Sequence, residues 1–250
     1  MDRIRDKSIV FDESPFWTNT TFVRQPISEK RSYVRLVNKT FATPINPDFY
    51  IDQFSPRAFV EFEESSQTMR EHGCGIVSLH NILGTLSREY DNTVGRLAHF
   101  ALSFHRNDLR DDGGRLLKKG TPVLATNIGW YHDALLHIAS QFEVNGYRIE
   151  GVNLNDVAGE YVSLIDSNKK VLSIISVKDN YKRPQLAGGS SHLIVASGFK
   201  FNLRGNLNEI MITDPSAHVC NGKSINEWVT VAKITQDSFL GKAMFFYTEK

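Results

Sequence analysis

Cys74 stands between two glycines in the stretch EHGCGIVSLHNIL, directly ahead of apolar residues Ile76, Leu79, Leu83 and Leu86, joined by Ile82, that recur at helical spacing. A thiol at the first turn of a helix is a candidate nucleophile. An ordinary cysteine, with a pKa near ~8.5, is only a few per cent thiolate at neutral pH, and a helix N-terminus or an adjacent imidazolium raises that fraction. Gly73 and Gly75 are expected to let the backbone turn sharply into the helix and to leave room for a substrate beside the sulfur. First-turn amides, that of Cys74 included, are then placed to donate to an oxyanion. Free cysteine is also among the most buried residue types, so Cys74 taken alone is more often packing than chemistry.

A second feature far downstream shifts the balance. The segment SSHLIVASGFKFNLRGNLNEIMITDPS, residues 190–216, reads as two antiparallel strands around a turn near Leu203 to Gly205. A turn centred on Leu203 sets His192 directly across the ladder from Asp214. An imidazole braced by a carboxylate in this way has its tautomer fixed and its other nitrogen free to serve a thiol. Taken singly, His192 is a strand histidine and Asp214 a turn former before Pro215. Both fall at one rim of the predicted sheet. His72, His80, His99, His105, His132, His137 and His218 have no comparable partner, and the five-residue spacing of His132 and His137 suits shared metal ligation poorly, so no metal is expected. Trp130 and Tyr131, opening a later helix, are candidate walls of a substrate cleft with core packing as the alternative. Lys182 and Arg183, in the loop of residues 178–191 that leads into His192, are either a contact for an acidic partner or a solvated loop.

The elements that must carry these residues form an α+β pattern. Short β-branched segments occupy roughly the first 40 residues, and Pro44, Pro47 and Pro56 then forbid a continuous helix. We read residues 1–60 as a β-rich N-terminal extension and 61–250 as the main domain. Helices are predicted from Cys74, over about Thr93–Phe104, over about Trp130–Phe142 with Gly146 placed as a terminator, and near Asn155–Ile165. Strands follow at YRIEGV, KVLSIISV, HLIVASGF, EIMITD and AMFFY. Helices first and strands later is the order of an α+β fold rather than of βαβ units.

Composition narrows the function classes. With 41% hydrophobic and 23% charged residues over 250 positions, the chain can bury one sizeable core and is not of disordered type. Its 29 Lys and Arg nearly cancel 28 Asp and Glu without forming a basic stripe, so neither nucleic acid nor an anionic membrane is an expected partner. The N-terminus lacks an apolar signal region and no apolar run is long enough to span a bilayer, so a cytoplasmic location is expected. Cys74 and Cys220 have neither the number nor the spacing of a disulfide scaffold or a thiolate zinc site.

CGIVSLHNIL on a helix, HLIVASGF on a strand and MITDP on the next together resemble the papain-like cysteine peptidases of the C39-like group. The resemblance runs from about Gln67 to the C-terminus and takes in SINEW, where that family has a short helix, and a last apolar strand at AMFFY. It implies a papain-like fold in which the helical part packs its Cys-bearing helix on a C-terminal antiparallel sheet carrying His and Asp. Cys74 would be the nucleophile, His192 the general base and acid, Asp214 the orienting carboxylate and Gln67 a side-chain oxyanion donor. Gln67 stands seven residues ahead of Cys74 where the family commonly has six. Gly73, Gly75, Gly189, Trp130 and Tyr131 would line the substrate. No cofactor is implied. The expected chemistry is acyl transfer through a Cys74 acyl-enzyme with a narrow substrate. One outcome is amide formation from a thioester, carrier-bound or free, to an amine in biosynthesis, with a carrier protein as partner. The alternatives are a specific peptidase or amidase, and an inactive binding module that keeps the shape.

Overall fold

The computed structural model describes residues 36–55, 58, 71–106, 109–110, 116–118, 120–125, 129–178, 191–216, 224–234 and 238–250. Its centre is an antiparallel sheet built from β1 (Thr40–Ala42), β2 (Asn145–Glu150), β3 (Lys169–Lys178), β4 (Ser191–Phe201), β5 (Leu207–Asp214), β6 (Ser224–Thr230) and β7 (Phe239–Glu249). The spatial order is β6-β5-β4-β3-β7-β2, with β1 also paired to β4. β4 holds β3 along Ser191–Ala196 and β1 along Gly198–Lys200, so the N-terminal strand takes the bonding edge that β3 leaves.

Helices α1 (Cys74–Leu86), α2 (Val94–Leu102), α3 (His132–Ser140) and α4 (Leu154–Asp166) cover this sheet. Strand side chains alternate between two apolar clusters. Leu172, Ile174, Leu193, Val195, Met244 and Phe246 join the core of α1, α2 and α3. Val171, Ile175, Val177, Ile194, Ile210, Ile212 and Phe245 join that of α4. Two covered faces explain why KVLSIISV and HLIVASGF read as almost unbroken apolar runs rather than as alternating ones. Ile45 and Ala58, from the N-terminal sixty residues, are buried in the same cluster as α1.

The α+β order, the four helices and the five later strands follow the sequence pattern, with three corrections. SINEW is strand β6, not a short helix: Met211 pairs with Trp228 and Ile210 with Val229, which ladders the segment onto β5. Gly146 does not end α3. The helix stops at Ser140, Glu143 takes the left-handed turn at φ 61°, and Gly146 lies within β2. A Cβ there would fall 2.7 Å from Leu136 and 2.8 Å from the Phe245 carbonyl, so close packing is what this glycine serves. Short ribbons, such as Leu124–Ala125 against Gly129–Trp130, occupy the region between α2 and α3, where no strand was expected. The predicted boundary near residue 60 and the strands expected up to residue 35 lie outside the described residues, and Leu36 and Val37, the end of the expected strand SYVRLV, form a turn ahead of β1 instead. None of the described helices is long and apolar enough to cross a membrane.

Candidate active site

His192 is the second residue of β4 and Asp214 the last of β5, at one rim of the sheet. Their pairing differs from the sequence expectation by one diagonal step. Asn202 accepts from the amides of Arg204 and Asn206 through its side chain, and Gly205 takes φ 76°, so the turn centres on Arg204 rather than Leu203. Val195 then faces Thr213 and Ala196 faces Ile212. Carried along the ladder, this register sets Asp214 opposite Ile194, two residues from His192 on the same side of the strand. Diagonal neighbours remain within reach of long side chains, and His192 Nε2 lies 2.8 Å from Asp214 Oδ1.

The carboxylate is wholly buried and held from several sides. The Ser216 amide donates to the same Oδ1 at 2.8 Å, closing a turn around Pro215, and Tyr50 Oη donates to the Asp214 carbonyl at 3.2 Å. Cys74 is a free and half-buried thiol, and its side chain is among the groups that act on the His192 imidazole. With Nε2 engaged by Asp214, Nδ1 is the nitrogen left for the sulfur. Burial presses this imidazole toward its neutral form. The Asp214 charge and hydrogen bond, with Cys74, outweigh that and push its pKa up to about 10. The charged imidazolium is therefore the form that the Asp214 carboxylate favours.

α1 reaches this rim by small-residue packing rather than by a sharp turn. Gly73 is right-handed at φ −76°, ψ −8°, Glu71 and His72 ahead of it are helical, and Gly75 lies inside the helix, so neither glycine bends the chain as expected. What Gly75 permits is approach: a Cβ there would lie 3.0 Å from Trp130 Cβ and 3.1 Å from Leu193 Cδ1. One turn on, Ser78 Oγ donates to the Leu193 carbonyl at 3.2 Å and ties α1 to β4 one residue from His192. Ser78 is not among the expected site residues, although a polar interruption of an apolar stripe marks it in the sequence; nothing comparable marks Tyr50 or Ser216.

Trp130 is buried against Gly75 rather than open to solvent, and its Nε1 has no hydrogen-bond partner among the described residues. Tyr131 is half-buried against the same cluster. Three other histidines go elsewhere. His80 meets Tyr90, His132 approaches Ser176 at 3.4 Å, and His137 packs edge-on to Phe104. Among the described residues no group of three or more His, Cys, Asp or Glu side chains is placed to hold a metal. Gln67, Gly189, Lys182, Arg183 and Cys220 lie outside the described residues.

No family model matches the chain, and no curated protein does. Among solved structures the chain is similar to the peptidase domain of Streptococcus ComA, a bi-functional ABC transporter involved in a quorum-sensing pathway. The TM-score is 0.40 at 13% identity, over 72% of this chain and 93% of that one. It is also similar to the peptidase domain of Streptococcus mutans ComA, at TM-score 0.30 and 16% identity, over 57% of this chain and 95% of that one. Both neighbours are peptidase domains, the class that the Cys, His and Asp motifs resemble. At these scores neither activity nor family passes from them to this chain, and its chemistry has to come from its own residues.

Proposed function

We propose that this protein is a papain-like cysteine enzyme that transfers acyl groups through a thioester on Cys74. The observation that supports the reading is one imidazole, His192, held on one nitrogen by a buried carboxylate and acted on by the Cys74 side chain. An imidazolium beside a thiol favours the thiolate, the form that attacks.

The thiolate adds to the substrate carbonyl and forms a C–S bond. The tetrahedral oxyanion takes hydrogen bonds from the Cys74 amide and from Gln67, the donors that the motif resemblance supplies. Collapse expels an amine or a thiol, which leaves with the proton of His192. The acceptor then attacks the thioester, His192 takes the acceptor's proton, and the sulfur departs as thiolate. Water as acceptor makes the enzyme a specific peptidase or amidase; an amine makes it an amide-forming acyltransferase, with the donor free or on a carrier protein. Both acceptors use the same three residues, so acyl transfer is the function proposed and the acceptor is its variable.

The test is to incubate the full chain with a small acyl thioester and a primary amine and to weigh both the protein and the products. The expected result is an acyl adduct on the Cys74 peptide, absent from Cys74→Ala, with turnover to amide or acid. Amide assigns the transferase role, and free acid at every amine concentration assigns hydrolysis. An electrophile that modifies Cys220 readily and leaves Cys74 untouched would overturn the catalytic reading in favour of an inert module.

A further inference from the structure

The segment between β1 and residue 53 touches every element that carries the proposed site. The Thr43 amide donates to the Ser197 carbonyl of β4 at 2.8 Å. Ile45 exchanges two hydrogen bonds with the Asn226 side chain of β6, its amide donating at 2.8 Å and its carbonyl accepting at 2.9 Å. The Asn46 amide donates to Thr85 Oγ1 of α1 at 3.0 Å. The Phe49 ring lies on Gly84 of α1, where a Cβ would come within 2.0 Å of it. The segment ends on the Asp214 turn: Tyr50 Oη donates to the Asp214 carbonyl, and the Gln53 amide donates to the Pro215 carbonyl at 2.8 Å.

The consequence is geometric. The nucleophile's helix and the carboxylate's strand are separate in sequence, and the distance between them decides whether His192 can serve both. Residues 43–53 run from β4 and β6, held at Thr43 and Ile45, across the C-terminal turn of α1, met by Asn46 and Phe49, to the Asp214 turn, met by Tyr50 and Gln53, and main-chain hydrogen bonds fix the segment at Thr43 and Gln53. We infer that Thr43–Gln53 is a positioning strap for the proposed acyl-transfer site, and that Tyr50 is a positioning residue that holds the Asp214 main chain so that its carboxylate stays on His192. The inference rests on the proposed function.

The test uses the full chain and iodoacetamide, reading alkylation of the Cys74 peptide by mass spectrometry between pH 5 and 9. Tyr50→Phe removes only the hydroxyl, and Asn226→Ala loosens the strap at its other end. Tyr50→Phe is expected to slow Cys74 alkylation at pH 7 by about fivefold, the size of one lost hydrogen bond. Asn226→Ala should act in the same direction by less, and Asp214→Asn by more. The His192 titration followed by NMR should move down in the order Asn226→Ala, Tyr50→Phe, Asp214→Asn, a readout that a merely structural loosening elsewhere would not move. If Tyr50→Phe and Asn226→Ala match the native protein in both measurements while Asp214→Asn is displaced, the strap is overturned and the site stands. If Asp214→Asn and His192→Ala also leave Cys74 alkylation unchanged, the acyl-transfer reading falls and takes the strap with it.

Discussion

Two buried histidines of this protein, 112 positions apart, end in opposite protonation states. His192 meets a carboxylate and its pKa rises to about 10. His80 sits on α1, two turns from Cys74, with its Nδ1 2.7 Å from Tyr90 Oη and a hydrogen bond to the Phe49 main chain; burial takes its pKa down to about 4. Both are desolvated and both are hydrogen-bonded. A neutral phenol offers the imidazole no charge against which to be protonated, so desolvation wins, while a fixed anion reverses the outcome. His132 extends the comparison: it too is pushed down to about 4, by burial and then by the positive charges of Lys242 and Arg148, against weaker opposing effects of Glu150 and Asp133. Burial alone therefore does not set the charge state of a histidine here; the partner does.

The largest expected effect comes from removing that partner. Asp214→Asn keeps a side chain of the same size but deletes the charge, leaving His192 in the situation of His80. Its titration should fall below neutrality, and thioester turnover at pH 7 should drop by roughly 10²–10³, within the range seen when general acid–base catalysis and its orienting carboxylate are lost. NMR titration of His192 beside steady-state rates checks both. Retained turnover with a lowered His192 titration would separate the charge from the chemistry.

The same contrast sets the shape of stability against pH. His80 and His132 are lowered from 6.5 to about 4, so between these values the unfolded chain binds more protons and stability is lost as pH falls through that window. The loss is on the order of 2–3 kcal/mol for each histidine. His192 acts with the opposite sign: its contribution is full below pH 6.5 and disappears as pH rises toward 10. Urea midpoints measured from pH 4 to 10 should therefore peak between the two windows. Asp214→Asn should flatten the alkaline side and steepen the acid side, where His192 then joins His80 and His132.

How much of this was legible in the sequence depends on the range of the contact. The Cys74 helix follows from local spacing, and the approach of His192 to Asp214 follows from one hairpin, although the Asn202 turn moves its centre by one residue and makes the pair diagonal. SINEW is a strand because its partner β5 lies beside it, a pairing that five residues do not announce. Tyr50 and Asp214 are 164 positions apart and joined through a carbonyl, which every residue possesses, so no pattern marks the contact. Gly75 looks like a hinge beside a nucleophile and is a packing position, since what it accommodates, Trp130 and Leu193, arrives from distant segments.

Gly75→Ala probes that packing at the Cys74 end of α1. The added methyl meets Trp130 Cβ, Trp130 Cδ1 and Leu193 Cδ1 at 3.0–3.2 Å, and Trp130 Cβ is too near its own backbone to swing away. The expected cost is about 1–3 kcal/mol, in the range of core overpacking. Cys74 alkylation should also slow severalfold, because relief requires α1 to lift from β4 beside His192. Thermal unfolding and alkylation rates check the two together, and a stability loss with unaltered alkylation would show that the helix yields elsewhere.

Tyr90→Phe is the smallest change and tests the other histidine. The ring stays in its contacts with Phe49 and Phe142, but His80 Nδ1 loses its partner inside the core. An unpaired buried acceptor costs about 1–2 kcal/mol, and the imidazole, with no carboxylate to draw on, should remain neutral at pH 7. Cys74 alkylation is expected to keep its native pH profile, in contrast to Tyr50→Phe, which also removes a single hydroxyl. That pair of phenylalanine variants divides the two histidines by function. A profile that moved in Tyr90→Phe would mean that α1 couples His80 to the thiol, and the state of His192 would then owe something to the helix as well as to its carboxylate.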